Sequence, residues 1–179
     1  MHVLTPSRVI AAAALVLAAL SFGVAHASTG SNGRPPAGAG QACVHGTALL
    51  ERNKENVVAY YETAVNDKNP RLAVELYGGD EYIQHNPLAA NGFEAFIAFF
   101  ESFTAAFPNL NIDIRRVVAE CDLVVTHGII DGAGTEAIFG PRGSKVVDIF
   151  RLDANGKIVE HWDVLAPISA TSLNGNPEV

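Results

Sequence analysis

The hydrophobic repeat of this chain changes near Pro108, from the spacing of helices to the spacing of strands. Before that proline, apolar residues recur every three or four positions in two segments, 46–66 and 92–106. Between them, Pro70 is typical of the first residue of a short helix, which we expect to end at Gly78. Beyond Pro108, apolar and polar residues alternate. Three helices followed by a run of antiparallel strands predict an α+β domain.

The alternating pattern predicts a short extended segment before the third helix and four strands after it. These are Tyr82–Asn86, Ile112–Val118, Leu123–Ile130, Ser144–Leu152 and Lys157–Ala166. A Gly-rich corner at 131–134 and a short segment at 135–139 lie between the middle two of the four. Residues 153–156 have the composition of a tight hairpin turn, so the last two strands are expected to pair directly.

The first 27 residues show the features of a cleavable signal peptide in the required order. Arg8 gives a positive start, the apolar run Val9–Leu20 follows, and the small residues Ala25 and Ala27 come before the predicted cleavage point. A membrane-spanning helix needs about 20 apolar residues, more than this run offers. We therefore expect a secreted or periplasmic protein, cleaved after Ala27, that keeps no membrane anchor.

The remainder of the chain is expected to contain a leader, one domain and a tail. Residues 28–43 are mostly Gly, Ser, Ala and Pro, which predicts a disordered leader because too little apolar surface is available to bury. The folded domain is expected at 44–170 and a flexible tail at 171–179. The net charge of −7, without a basic stripe, argues against nucleic acids and anionic membrane surfaces as partners.

Two cysteines, Cys43 and Cys121, remain after the predicted cleavage. Disulfides persist in exported proteins, so one reading is a bridge that staples the start of the domain to a hairpin in its middle. The other reading is two unpaired thiols, because spacing alone does not show whether the two residues meet. Their separation does not fit a zinc site.

Three motifs resemble those of the SnoaL-like family, polyketide-cyclase-like members of the nuclear transport factor 2-like superfamily. They are Tyr82–Pro87, Val147–Arg151 and Gly156–Asp163, and the last is the most specific. The resemblance covers nearly all of the predicted domain. It implies a cone in which a strongly curved antiparallel sheet wraps around three N-terminal helices and leaves an internal pocket. It also implies a homodimer formed through the outer face of the sheet.

The ketosteroid isomerases, which share this fold, offer a second comparison. By resemblance, Asp148 corresponds to an aspartate that these enzymes carry just before Phe-Arg on the strand. Tyr61, shortly before Asn66, resembles their oxyanion-binding tyrosine. Their general base is an aspartate before a proline, whereas Asn86 precedes Pro87 here. The resemblance therefore does not extend to steroid isomerisation.

Asp148 is the first candidate for chemistry. Strand alternation places it on one face with Val146 and Phe150. A carboxyl group between two apolar side chains on a concave face is desolvated, which favours its protonated form and suits a general acid. The resemblance to SnoaL-like cyclases implies an acid–base role in an aldol closure. The alternative is a structural aspartate paired with a neighbouring strand or with Arg116.

His161 and Asp163 form a second candidate group, because residues two apart on a strand share a face. Leu165 continues that face, which the resemblance places along the pocket beside Asp148. A carboxylate near a histidine fixes the tautomer of its ring and keeps it able to exchange protons near neutrality. Trp162 points the other way, where packing or a dimer contact is expected.

The segment before Pro87 offers further polar groups. Gln84 and Asn86 are candidates for binding a substrate carbonyl. His85 has two readings, a residue at the mouth of the pocket or a structural residue in the turn, because a slip of one residue reverses its face. On the preceding strands, Thr126 is expected to face the pocket and His127 the surface.

These residues together predict a cofactor-free enzyme acting on a small, hydrophobic, enolisable carbonyl compound. Asp148 would be the acid–base group, His161 with Asp163 its partner, and Tyr61 a donor to the enolate oxygen, while Phe150 and Leu165 would contact the apolar part of the substrate. No metal is expected, since the histidines lack ligand spacing, and neither a nucleophile elbow nor a phosphate or dinucleotide loop occurs. The alternatives are a small-molecule carrier and a dimeric interaction domain that use the same cone.

Overall fold

The computed structural model describes residues 46–179. The predicted signal peptide, the leader and Cys43 lie outside the described residues and stay predictions. Within residues 46–179, no helix is both long and apolar enough to cross a membrane.

The first helix ends in a wider turn that fixes it to the sheet. Helix α1 (Thr47–Tyr61) continues into a π-helical turn at Glu62–Asn66. The Asn66 side chain donates to the carbonyl oxygen of Ile112 at 3.0 Å and accepts from its backbone nitrogen at 2.9 Å. This pair of bonds holds the end of the helix against a strand, in the same way that a strand neighbour would.

Three further helices complete the helical part. Helix α2 (Pro70–Tyr77) begins at the predicted proline, and the side chain of Asn69 caps it by accepting from the backbone nitrogen of Leu72 at 3.2 Å. Helix α3 (Phe93–Ala106) is the helix that the apolar repeat at 92–106 predicts. The short predicted segment at 135–139 forms a single helical turn, α4 (Glu136–Phe139).

Five strands form one sheet in the order β1-β5-β4-β3-β2. Their bounds are β1 Gly78–Gln84, β2 Asn111–Glu120, β3 Leu123–Asp131, β4 Ser144–Leu152 and β5 Ile158–Pro167. The four longer strands form the predicted antiparallel run. The α+β class and the element order agree with the sequence prediction.

Strand β1 differs from the prediction in two respects. It begins at Gly78, four positions before the predicted start at Tyr82, and it pairs with β5 in parallel, with Gln84 opposite His161. The sheet is therefore mixed rather than wholly antiparallel. Residues 78–81 have little apolar content and no strand pattern of their own, so their extended conformation comes from pairing with β5, a tertiary effect that local propensity does not reveal.

The core lies between the helices and one face of the sheet, which we call the inner face. On β4 the alternate residues Val146, Asp148 and Phe150 are buried. Tyr60 of α1 stacks on Phe96 of α3, with ring centroids 5.1 Å apart, and packs edge-on against Phe150. The sheet thus buries its inner face against aromatic rings from two helices.

Cys121 lies in the turn between β2 and β3, with a backbone φ of 58°, and it is disulfide-bonded. The region predicted as a flexible tail contains no helix or strand. Near its end, Glu178 pairs with Lys145 of β4 and accepts from the backbone nitrogen of Ser169 at 2.8 Å. These two bonds lower the pKa of Glu178 to about 2, and the bond from Lys145 is the larger cause.

Candidate functional site

Two adjacent rows of residues cross the inner face of the sheet and bring the predicted polar groups together. In the first row, Asp148 of β4 lies opposite Thr126 of β3 and Asp163 of β5. In the second row, His161 lies between Phe150 of β4 and Gln84 of β1. Strand register alone therefore sets the predicted acid–base residues next to one another.

The carboxylate of Asp148 is held from three directions. Its Oδ1 accepts a hydrogen bond from Tyr61 Oη at 2.7 Å and lies 3.2 Å from His161 Nε2, while Oδ2 accepts from Thr126 Oγ1 at 3.1 Å. Asp148 is 2% exposed and His161 is 5% exposed. The predicted alternative partner, Arg116, lies instead beside His127.

The hydrogen-bond network assigns one proton to the pair His161 and Asp148. Gln84 Oε1 accepts from the backbone nitrogen of Asn86 at 2.9 Å, which fixes the orientation of the Gln84 amide, and it lies 3.1 Å from His161 Nδ1. The Nδ1 atom therefore donates. The single proton of the Tyr61 hydroxyl is donated to Asp148 Oδ1 at 2.7 Å rather than to His161 Nε2 at 3.3 Å, so an unprotonated Nε2 would face a carboxylate oxygen with two acceptors in contact. A proton between Nε2 and Oδ1 resolves this conflict. The pair is thus an acid–base couple, whichever atom carries the proton.

Asp163 is held by Asn86 rather than by His161. Asn86 Nδ2 lies 3.0 and 2.9 Å from the two carboxylate oxygens, and Asn86 Oδ1 accepts from the backbone nitrogen of Leu88, which fixes the orientation of the amide. Sequence reasoning paired Asp163 with His161. In the structure, the carboxylate hydrogen-bonded to His161 is that of Asp148.

His85 and Trp162 are not brought to this group. The His85 ring stacks on Trp162 at a centroid distance of 4.5 Å and contacts Glu160 at 2.7 Å, all on the outer face of the sheet. Of the two readings of His85, the structure therefore places it away from the inner face. His127 also lies on the outer face, as its strand parity predicts.

Comparison with known proteins places this geometry in a family. The family described as SnoaL-like polyketide cyclase matches residues 55–169, which include every residue of the two inner rows. The chain belongs to the SnoaL-like polyketide cyclase family. None of the curated proteins compared matches it.

Solved structures share the fold of this SnoaL-like domain. TsrD from Streptomyces laurentii is 23% identical over 68% of this chain and 90% of its own, with a TM-score of 0.54. A putative polyketide cyclase from Acidithiobacillus ferrooxidans is 19% identical over 64% of this chain and 87% of its own, with a TM-score of 0.54. A putative SnoaL-like polyketide cyclase from Jannaschia is 21% identical, over 68% and 90%, with a TM-score of 0.53. The curved sheet with helices on its inner face matches the fold of these structures, the cone that the resemblance implied.

Tyr82 belongs to the site of the SnoaL-like domain, although the sequence analysis did not single it out as a functional residue. Its Oη accepts from Gln84 Nε2 at 3.3 Å, and its ring lies nearly parallel to that of His161, 6.3 Å away. Tyr82 lies two residues before Gln84 on the same strand, so alternation alone places both side chains on one face and could have indicated its role.

Three buried tyrosines beside the inner face have raised pKa values. Burial is the largest cause that raises the pKa of Tyr61, and the charge of Asp148 is the second largest. The same two causes in the same order, with Asp163 third, raise the pKa of Tyr82. Burial also raises the pKa of Tyr60, whose hydroxyl has no hydrogen-bond partner among the described residues. These hydroxyls therefore stay protonated at neutral pH, and that of Tyr61 donates to the acid–base couple.

The ligand atoms of Asp148, His161 and Asp163 lie within 4.8 Å of one another, which is close enough for a metal site. They are, however, already engaged with Tyr61, Thr126, Gln84 and Asn86. A cation would have to displace several of these hydrogen bonds. The donor set of the SnoaL-like domain therefore favours proton transfer over metal binding.

The cone is closed over the acid–base couple in this structure. Burial decreases along the inner face of β5, from His161 at 5% exposed, through the partly exposed Asp163, to Leu165 at 39% exposed. Two surface clefts, of about 320 and about 560 Å³, lie between α1 and β2 and are lined by none of the predicted site residues. A ligand would therefore approach the couple from the side of Asp163 and Leu165.

Proposed function

We propose that this protein is an exported, cofactor-free enzyme that transfers protons on a small, hydrophobic, enolisable carbonyl compound, in an aldol or isomerase type of reaction. The proposal rests above all on the shared proton of His161 and Asp148, with Tyr61 donating to the same carboxylate oxygen. A couple that holds one proton can accept a second proton and return it, which general acid–base catalysis requires.

The two carboxylates have different parts in this proposal. Asp148 is directly opposite Asp163 on the neighbouring strand, with a carboxylate oxygen of each within 4.8 Å of the other, and two negative charges at this distance repel. The proton that Asp148 shares with His161 offsets this repulsion, and the proposal takes Asp148 as the acid–base group. Asp163 is the less buried of the two carboxylates. It would therefore be the first to contact the substrate, and its charge would favour the position of the shared proton nearer the substrate.

The apolar surroundings support a hydrophobic substrate. Phe150 is fully buried under the couple, and Leu165 is exposed at the open end of the same face. An apolar wall with a few convergent polar groups is the usual design of a small-molecule site. Gln84, Asn86 and Thr126 complete the polar set, but their contacts with His161, Asp163 and Asp148 make them supports of the acid–base groups rather than free carbonyl binders.

The proposal is tested by proton exchange at carbon. Deuterium uptake next to the carbonyl of a simple aryl ketone such as propiophenone is followed by NMR in D₂O, with the mature protein as catalyst. We expect catalysed exchange, lowered by about 10²- to 10⁴-fold in Asp148→Asn. Asp113→Asn, which changes an exposed carboxylate on β2, is the matched control and should keep full activity. A folded Asp148→Asn protein as active as the parent would overturn the proposal.

A non-catalytic carrier is the second candidate, favoured by the observation that the hydrogen-bonding groups of Asp148, His161 and Asp163 are already occupied within the protein. Native mass spectrometry of the protein purified from its own host distinguishes the two. A retained inert apolar molecule, with no exchange activity, supports a carrier. A retained enolisable carbonyl compound or its aldol product supports the enzyme.

We also propose that two copies pair through the outer face of the sheet. Val118, Val147 and Val164 lie there and are 62%, 37% and 70% exposed. Covering such side chains with a second copy removes apolar area from water. Light scattering at micromolar concentration should give a dimer, and Val164→Glu should give a monomer. Leu173→Glu, a change at a fully exposed leucine outside the sheet, is the control and should stay dimeric.

Export is supported by two features of the chain. The first 27 residues have the signal-peptide order described above. Cys121 is disulfide-bonded, and disulfides are kept in oxidising compartments outside the cytoplasm. Fractionation of the native host with sequencing of the mature N-terminus tests this. A protein that begins after Ala27 in a secreted or periplasmic fraction supports export, and an uncleaved cytoplasmic protein contradicts it.

A further inference from the structure

The chain alternates between the two faces of the sheet just where β1 ends. Gln84 and Asn86 point inward, to His161 and Asp163, while His85 between them points outward. On β5, residues 160–163 alternate in the same way, with Glu160 and Trp162 outward. The two segments therefore contact each other on both faces: His85 contacts Glu160 and Trp162 on the outer face, and Gln84 and Asn86 contact His161 and Asp163 on the inner face.

The outward contacts form a compact group, which we call the outer cluster: His85, Arg151, Glu160 and Trp162. Glu160 Oε1 lies 2.7 Å from His85 Nε2, and Glu160 Oε2 accepts from Arg151 at 2.5 Å. The His85 ring lies flat on Trp162, with 8° between the ring planes. Two different interactions therefore fix the His85 ring, a hydrogen bond in its plane and stacking on its face.

The charges of His85 and Arg151 also hold the Glu160 carboxylate in this position. Burial acts to raise its pKa, but the hydrogen bonds from His85 and Arg151 outweigh burial and lower it. The Glu160 side chain is 13% exposed. A partly buried charge held by two partners keeps a defined position, which an exposed ion pair does not.

The position of residue 85 sets the direction of its two neighbours. Strand β1 ends at Gln84, and beyond it the backbone nitrogen of His85 donates to the carbonyl oxygen of His161 at 3.0 Å. If residue 85 rotates, Gln84 and Asn86 rotate with it, because adjacent side chains on extended backbone are linked in orientation. The Gln84 amide fixes the tautomer of His161, and Asn86 holds both oxygens of Asp163.

We propose that His85 is a positioning residue: clamped on the outer face by Glu160 and Trp162, it fixes the tautomer of His161 and the orientation of Asp163 on the inner face. It touches neither carboxylate and would not contact substrate. The inference rests on the proposed function only for its effect on turnover, since the effect on the His161 ring exists in the free protein.

The experiment reads the ring nitrogens of His161 by ¹⁵N NMR in the mature, substrate-free protein. The parent should show a protonated Nδ1 with a single, well-defined pair of ring-nitrogen shifts. In His85→Ala we expect His161 to lose this defined state and to give averaged nitrogen shifts. His127→Ala removes another histidine from the outer face and is the matched control, with His161 expected unchanged. His85→Phe, which can keep the stacking on Trp162, should restore part of the parental signal.

A merely structural His85 would lower the melting temperature without moving the His161 nitrogens. A folded His85→Ala protein with parental His161 shifts therefore overturns the inference. If that variant does not fold, Glu160→Gln keeps the size of the partner while weakening the clamp, and unchanged His161 shifts there overturn the inference equally. Trp162 is the one tryptophan of the chain, so its fluorescence reports loss of the stacking directly.

Turnover separates this inference from the proposed function. If the parent catalyses the exchange reaction, His85→Ala should lower kcat by about ten- to a hundredfold with little change in KM, because the acid–base groups are misplaced and not removed. If the parent shows no activity, the proposed function fails, and the NMR result still decides the role of His85.

Discussion

Tyr61 and Asp148 are 87 residues apart in the sequence, yet a 2.7 Å hydrogen bond between buried atoms joins them. Tyr61 is the last residue of α1, and the π-helical turn that follows it is fixed to β2 by Asn66. The bond therefore links the end of the first helix to the middle of the sheet. It also ties the proposed catalytic carboxylate to the hydroxyl proposed to bind the enolate oxygen.

Replacing Tyr61 by Phe should weaken both folding and proposed catalysis. The change removes one donor from a buried carboxylate, so we expect a loss of about 1–3 kcal/mol in the free energy of unfolding. Ketone exchange should also fall, because a preorganised donor is lost. Urea unfolding and the exchange assay measure the two effects. Tyr77→Phe is the control, since the Tyr77 hydroxyl makes no hydrogen bond within residues 46–179; equal effects of both changes would contradict the assignment.

The raised pKa values of the tyrosines predict a distinctive alkaline titration. In the unfolded chain, tyrosines ionise near the ordinary value of 10.0, whereas the folded values of Tyr60, Tyr61 and Tyr82 lie above it. These groups stabilise the fold fully below pH 10, and this contribution is lost as the pH rises through the folded values. At about pH 11 the absorbance of tyrosinate should be far smaller in native than in urea-unfolded protein. Full ionisation of the native protein near pH 10 would contradict the buried arrangement.

Replacing Asn86 by Asp tests the contact between Asn86 and Asp163. The new carboxylate would lie about 3 Å from that of Asp163. Two like charges at this distance repel, and a proton shared between the two carboxylates removes the repulsion. The variant should therefore be destabilised at neutral pH and regain stability in mild acid, where that proton is available. Thermal unfolding at pH 7 and pH 5 measures this, and Asn155→Asp in the exposed hairpin turn serves as a control that should show little pH dependence.

The lowered pKa of Glu160 predicts how stability depends on acid. Because the folded value lies below the ordinary 4.5, Glu160 contributes stability above that pH, and the contribution is lost as the pH falls through the folded value. The unfolding free energies of the parent and Glu160→Gln should differ by about 1 kcal/mol at neutral pH and converge in acid. Glu55→Gln, at an exposed helical position, should show no such convergence. A constant difference at all pH values would count against the outer cluster.

The sequence predicts the parts of this fold that depend on local patterns. The helical repeat gives α1 and α3, the turn residues 153–156 give the last hairpin, and alternation gives the shared faces of Asp148 with Phe150 and of His161 with Asp163. Hairpin register then follows from a short turn, so the meeting of Asp148 and His161 could be anticipated.

The rest depends on contacts between distant segments. The parallel pairing of β1 with β5 is set by packing and not by the polar, Gly-rich start of β1, and with it the faces of residues 84–86 are decided. For this reason His85 stayed ambiguous in the sequence, and the roles of Gln84 and Tyr82 around the His161 ring could not be read from it. Similarly, only the side-chain geometry shows that Asp148, rather than Asp163, is bonded to His161.

The pairing of the first strand with the last has a consequence for folding during synthesis. While the ribosome is still adding residues beyond Leu152, β1 lacks the neighbour that shapes it, and Gln84 and Asn86 have nothing to hold. Contacts between such distant segments form slowly and late. A nascent or C-terminally truncated chain that lacks β5 therefore lacks the partners of Gln84 and Asn86, so the proposed site cannot form in it.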